Sequence, residues 1–245
     1  MRIPRFHLPT AFKEGESIPL DKSQSHYALT VLRLKDQRPI EVFDGKGNQA
    51  QAKLVVTGRR TAEVLIEQCD SINTESPLHT VLLQGISKGD RMDYTIQKSV
   101  ELGITTIQPI FTERCDVKLT GDRLDKKRTQ WQEIAINACE QSNRNVVPTI
   151  LPPLSYYDWL NAQTEVSGVV LNPTAENTLN TLPSSLSDTT IFLLIGPEGG
   201  LTDDEVLQGT QKGLTPTRLG PRILRTETAG VVILSALQTL WGDFR

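Results

Sequence analysis

Two glycine-rich loops near one end of the sequence constrain this chain more than any other feature. The first is Ile195-Gly196-Pro197-Glu198-Gly199-Gly200 and the second is Leu219-Gly220-Pro221-Arg222-Ile223-Leu224-Arg225-Thr226-Glu227-Thr228-Ala229. Each stands where a short strand ends and a helix begins. Thr190–Ile195 reads as a strand buried on both faces, as does Gly168–Leu171, and such strands belong in a parallel sheet. Thr202-Asp203-Asp204-Glu205 fits a capping box, so a helix starts directly after the first loop. Thr215–Leu219 reads as the strand before the second loop. Thr226–Trp241 reads as a buried helix, although Val231-Val232-Ile233 alone would allow a strand. Glycine in such loops lets main-chain N–H and C=O groups approach a ligand closely. A tight turn is the bland alternative for any one of them, but two loops so placed point to one small-molecule pocket.

Upstream the rhythm is the same. Leu78–Gln84 and Thr106–Phe111 read as strands. Asp90–Leu102 reads as a helix, with Met92, Ile96 and Val100 at four-residue spacing and Gly103 as its stop. Asp122–Ser142 reads as a long helix bearing Trp131, Ile134, Ala135, Ala138 and Cys139 on one face. Strands alternating with helices indicate an α/β domain. The first seventy residues differ. Pro39–Phe43, Gln49–Val56 and Ala62–Gln68 alternate with a period of two around the turn Asp44-Gly45-Lys46-Gly47-Asn48, which predicts a small antiparallel barrel. One helix interrupts it at Ser23–Leu34. The polar stretch Cys69–Pro77 places the boundary, giving domains 1–72 and 73–245 in a chain of 245 residues.

Several chemistries lack support. The sequence holds no phosphate-binding P-loop, no dinucleotide fingerprint and no G-x-S-x-G elbow. His7, His26 and His79 have no metal-ligand spacing, so no metal is expected. Cys69, Cys115 and Cys139 form no C-x-x-C pair and read as buried apolar residues rather than a disulfide framework. No apolar run spans a bilayer and no secretory signal is recognised, which leads to the expectation of a cytoplasmic protein without a membrane partner. Net charge is −3 overall. It divides as +2 over residues 1–72 and −5 over 73–245, so a polyanion would meet local basic patches rather than a basic protein.

What remains is main-chain recognition plus a few charges, which suits a cofactor that already carries the chemical potential. The two glycine motifs together resemble the C-terminal signature of the 16S rRNA (uracil-N3) methyltransferases of the RsmE family, a branch of the SPOUT class. Lys88-Gly89-Asp90-Arg91-Met92-Asp93, Gln97-Lys98-Ser99-Val100-Glu101-Leu102-Gly103 and Glu140-Gln141-Ser142-Asn143-Arg144 resemble the family's middle blocks. His26, Val31-Leu32-Arg33 and Phe43-Asp44-Gly45 resemble its N-terminal domain. Asn172 departs from the pattern, and Lys35-Asp36-Gln37-Arg38 lacks an expected glycine turn. The resemblance implies a C-terminal parallel sheet with a trefoil knot, an N-terminal PUA-like barrel, S-adenosyl-L-methionine as methyl donor, a homodimer, and N3-methylation of a uridine in the 16S rRNA of the small ribosomal subunit. A 2′-O-ribose RNA methyltransferase and a catalytically silent ribosome-assembly factor remain as alternatives.

On this reading the donor is held by Leu171, Leu194, Ile195, Gly196, Gly199, Gly200, Leu219, Gly220, Ile223, Leu224 and Thr226. Uracil N3 carries a proton, so methylation there needs a proton acceptor and a group that stabilises the anion. Glu198, Glu227 and Arg225 are the candidates. Helix N-terminal charge complementarity alone would account for both glutamates, and an ion pair with Glu227 or simple solvation is the alternative for Arg222 and Arg225. Arg2, Arg5, His26, Arg33, Lys88, Arg91, Lys98, Arg144 and Arg222 form a candidate RNA track, with a structural hydrogen bond as the alternative for His26, the ion pair or solvation just given for Arg222, and surface solubility for the others.

Overall fold

The computed structural model describes residues 3–244, and Arg2 of the candidate RNA track lies outside them. The chain forms two compact units. One runs to Glu75 and also takes in Cys139–Val147, and the other comprises Ser76–Ala138 and the residues from Pro148 onward. The separation is therefore not one cut in the sequence.

In the first unit come β1 (Arg5–His7), β2 (Ser17–Pro19), α1 (Lys22–His26), β3 (Arg38–Phe43), β4 (Gln49–Gly58) and β5 (Thr61–Asp70). They build a five-stranded sheet in the order β1-β3-β4-β5-β2. The expected alternation puts Ile40, Val42, Ala50, Ala52, Leu54, Val64 and Ile66 into one core. The sheet is not wholly antiparallel, because β1 lies parallel to β3. The helix expected over Ser23–Leu34 is a capped turn that continues as a π-helical turn, Tyr27–Val31. Where the glycine turn is missing, Gln37 itself takes the left-handed conformation at φ 61°.

Residues 139–147 add a buried polar knot to this unit. The Arg144 guanidinium pairs with the Glu75 carboxylate at 2.5 Å, and the other oxygen of Glu75 accepts from the N–H groups of Asn145 and Val146. The Arg5 guanidinium donates to the carbonyls of Cys139 and Arg144 and to Asn145 Oδ1, and lies 4.5 Å from the Phe43 ring centre. Both arginines are buried. This corrects their place in the RNA track, since their charge is spent on the interior of the unit and does not face a phosphate backbone. Cys139 is buried as expected, but Cys69 is exposed.

The second unit contains β6 (Thr80–Gly85), α2 (Asp90–Glu101), β7 (Thr106–Phe111), α3 (Asp122–Ser142, whose last turn belongs to the first unit), β8 (Thr149–Ile150), β9 (Leu154–Ser155), α4 (Tyr156–Asn161), β10 (Ser167–Leu171), β11 (Asn177–Thr178), β12 (Ile191–Ile195), α5 (Asp203–Gln211), β13 (Leu214–Arg218) and α6 (Thr226–Leu240). The sheet runs β11-β13-β10-β12-β6-β7-β8, with β9 also on β7, and every pairing is parallel. Leu83, Val170 and Leu194 pack with Tyr156, Trp159 and Leu160 of α4. Adjacent residues of a strand face opposite ways, so Gln84 turns to the other face, where it meets α6. Val231-Val232-Ile233 is helical because α6 packs along α2 and β12 instead of joining the sheet. Among the described residues no helix is long and apolar enough to cross a membrane.

Candidate active site

The connection leaving β6 leads to β7 on one side, whereas the one leaving the adjacent β12 passes back over β10 to β13 on the other. Connections from neighbouring strands thus diverge at the carboxyl ends of β12 and β6, and open α/β sheets form their ligand crevices at the carboxyl ends of the strands beside such a point. A cavity of about 600 Å³ lies there. Leu171, Ile195, Gly196, Gly200, Leu219, Gly220, Ile223, Leu224 and Thr226 line it, so both glycine loops meet around one space. Leu194 and Gly199 were expected among them but fall outside the lining. Leu194 is fully buried in the packing against α4, and a side chain on Gly199 would point at Arg114, 2.9 Å from its Cβ.

The loops have different reasons for glycine. A Cβ on Gly196 would sit 2.9 Å from the backbone of Gly200 and Leu201, so the loop closes on itself with no room for a side chain. Gly220 has open space around it but a φ of 84°, which an L side chain rarely adopts. The first loop leads into α5 through the expected capping box, with Thr202 accepting from Glu205 N–H and Glu205 accepting from Thr202 N–H. Arg114 anchors the loop by donating to the carbonyls of Gly199 and Leu201.

The charged candidates converge on the same rim. Glu198, Arg222, Arg225 and Glu227 all line the cavity, and so does Arg91, which the sequence placed on the RNA track. Arg91 Nη1 lies 2.6 Å from Glu198 Oε1, and its Nε lies 3.9 Å from Glu227 Oε1. The cation beside Glu227 is thus Arg91. Burial alone would raise the Glu198 carboxyl, but hydrogen bonds from its own N–H, from Lys88 N–H and from Arg91 bring it below the ordinary carboxylate range. Glu227 Oε2 is buried and makes no hydrogen bond. Ile223 is 85% exposed at the rim, so it is an edge of the cavity and not an inner wall.

Other track residues are scattered. Lys88 pairs with Asp116 at 2.7 Å, and Lys98 pairs with Glu101 at 2.8 Å and lies over the Tyr94 ring. In the first unit His26 and Arg33 are exposed, with Arg33 in the left-handed region at φ 52°. Asn172 lines the cavity, but its Oδ1 accepts from Thr174 N–H and hydroxyl, a local turn. Sequence reading missed Arg114 and Gln84. A buried glutamine ending an apolar strand, Thr80-Val81-Leu82-Leu83-Gln84, was the available signal for the second.

Comparison with known proteins agrees with this geometry. Residues 74–238 match the model of an RNA methyltransferase domain, and residues 20–67 match an RNA methyltransferase PUA domain. Fold and site therefore define an RNA methyltransferase. A ribosomal RNA small subunit methyltransferase E from Buchnera aphidicola is 38% identical over 99% of this chain and 98% of its own. That of Bacillus subtilis is 30% identical over 92% and 91%. The crystal structure of a ribosomal RNA small subunit methyltransferase E from Neisseria gonorrhoeae, bound to S-adenosyl methionine, superposes with a TM-score of 0.92 at 42% identity, covering 100% of both chains. A Legionella pneumophila structure with bound S-adenosylmethionine gives 0.95 at 35% identity, again covering 100% of both. The chain belongs to the ribosomal RNA small subunit methyltransferase E family.

Proposed function

We propose that this chain transfers a methyl group from S-adenosylmethionine to N3 of a uridine in the 16S rRNA of the small ribosomal subunit. The observation that carries the reading is the meeting of both glycine loops around one cavity at the carboxyl ends of β10, β12 and β13. The cavity fits the donor by its own chemistry. Its volume suits a nucleoside-sized ligand. Leu171, Ile195, Leu219 and Leu224 offer apolar walls, and the Gly196 turn leaves no side chain between ligand and backbone. When bound, the donor supplies a methyl group on a positively charged sulfur.

The chain's own residues then divide the work. A carboxylate already held by Arg91 and two N–H groups is a weak proton acceptor, which assigns Glu198 to shaping the loop. Glu227, with one buried oxygen free of hydrogen bonds, is the better acceptor for the N3 proton. Arg225 sits at the start of α6 and lines the same space, so its fixed positive charge can stabilise the uracil oxygens as N3 loses its proton. Arg222 extends the positive rim toward the phosphates. Tyr94 of α2, Leu240 of α6 and Phe244 after it are exposed apolar side chains, which supports pairing of this unit with a second copy in a homodimer. The threaded trefoil path is proposed on the resemblance, and the bond from the Thr226 hydroxyl to the Gly196 carbonyl, which ties the two loops, fits it.

The test is incubation of small subunits lacking the modification with the chain and isotopically labelled donor, followed by nucleoside mass spectrometry. Labelled N3-methyluridine is expected. A label on ribose would favour the 2′-O-methyltransferase alternative, and no label together with no donor binding would favour the silent assembly factor.

A further inference from the structure

We propose that Gln84 and Thr226 are positioning residues that fix the spacing of the two glycine loops, and through it the affinity of the cavity for its methyl donor. The inference deepens the functional reading above and rests on it. Gln84 is the only amide among the apolar residues of β6 and is fully buried. A buried amide without partners would destabilise the fold, so its contacts are informative. Its Nε2 donates to Thr226 Oγ1 at 2.8 Å and to the Gly85 carbonyl at 3.0 Å. The Thr226 hydroxyl, accepting that bond, donates its own proton to the Gly196 carbonyl at 2.6 Å. Three segments distant in sequence are tied in one line: the end of β6, the first residue of α6 that closes the second loop, and the first glycine of the first loop.

The start of α6 depends on this line. Arg225 occupies its cap position but makes no side-chain capping bond. The Thr226 side chain instead fastens the helix start to the sheet and to the other loop. Arg114 holds the first loop from its other end, through Gly199 and Leu201. Thr226, expected to contact the cofactor, therefore has its hydroxyl committed on both sides to protein. It acts through Gly196 rather than on the ligand.

The experiment is calorimetric titration of the purified chain with S-adenosylmethionine and with S-adenosylhomocysteine, in wild type, Thr226→Val, Thr226→Ser, Gln84→Met and the Thr226→Val/Gln84→Met double variant. Thr226→Val keeps the shape of the side chain and removes only the relay. Loss of a buried hydrogen-bond relay is expected to weaken both ligands about tenfold in each of Thr226→Val and Gln84→Met. The double variant should be little weaker than either single one, since both cut the same line. Thr226→Ser should restore affinity. In turnover assays KM for the donor should rise more than kcat falls. Near wild-type affinity in folded Thr226→Val, a lowered melting temperature without loss of affinity, or additive losses in the double variant would each overturn the proposal. Should Gln84→Met fail to fold, the valine and serine variants of Thr226 decide alone. Failure of the wild type to bind either ligand would instead strike the functional reading.

Discussion

At the scale of single residues, the site depends on where side chains are forbidden and where charge is left uncompensated. Gly196→Ala would drive a methyl group into the backbone of Gly200 and Leu201, which cannot rotate away as a side chain can. It should cost about 1–3 kcal/mol of stability, as overpacking typically does, and lower donor affinity. Thermal unfolding and calorimetry on the same sample check both. The two glutamates should separate kinetically. Glu227→Gln should reduce kcat strongly while donor affinity changes little, because it removes the proton acceptor. Glu198→Gln should act mainly on donor affinity, because it loosens the loop held by Lys88 N–H and Arg91. Equal kcat in both variants would remove the assignment.

At the scale of elements, α3 and the segment after it show how a helix serves two units. Residues 139–147 supply Arg144 and the carbonyls that bind Arg5. Arg144→Ala leaves the half-buried Glu75 carboxylate without its cation. Breaking a buried pair in this way should destabilise the first unit by about 3–5 kcal/mol, read from denaturant unfolding. Its effect on the salt dependence of RNA binding should be nil. The same segment fixes thiol reactivity. Burial pushes the Cys139 thiol up to about 12, outweighing the pull of Arg144 and Arg5 toward the thiolate. At pH 8 the folded chain should therefore be modified by a disulfide reagent at exposed Cys69 and not at Cys139, as peptide mass spectrometry would reveal. Modification of Cys139 should require unfolding.

At the scale of the whole molecule, RNA affinity has to come from local patches, because the chain carries a net charge of −3. Arg5 and Arg144 are spent internally, while His26, Arg33 and Arg222 are exposed. Each phosphate contact removed should lower the slope of log affinity against log salt by about 1, so Arg33→Ala and Arg222→Ala should each flatten it by that amount. Binding assays from low to moderate salt would measure this. A slope unchanged in both variants would take these arginines out of the RNA surface.

Local pattern was enough to determine much of this protein. The period of two in β3, β4 and β5, the four-residue spacing in α2, the bounds of β7 and α3, and the Thr202 capping box were all legible, because each depends on neighbours within a few residues. The glycine loops were legible too, since Gly196 has no room for a side chain and Gly220 takes a φ that an L side chain rarely adopts. Tertiary structure alone decided which charges are available. Arg5, Arg91 and Arg144 are as polar in sequence as Arg33, yet two are buried against carbonyls and carboxylates and the third is drawn into the cavity rim. The relay from Gln84 to Gly196 likewise spans positions more than a hundred residues apart. An arginine's or an amide's role follows from the partners that folding brings to it, and no local spacing encodes those partners.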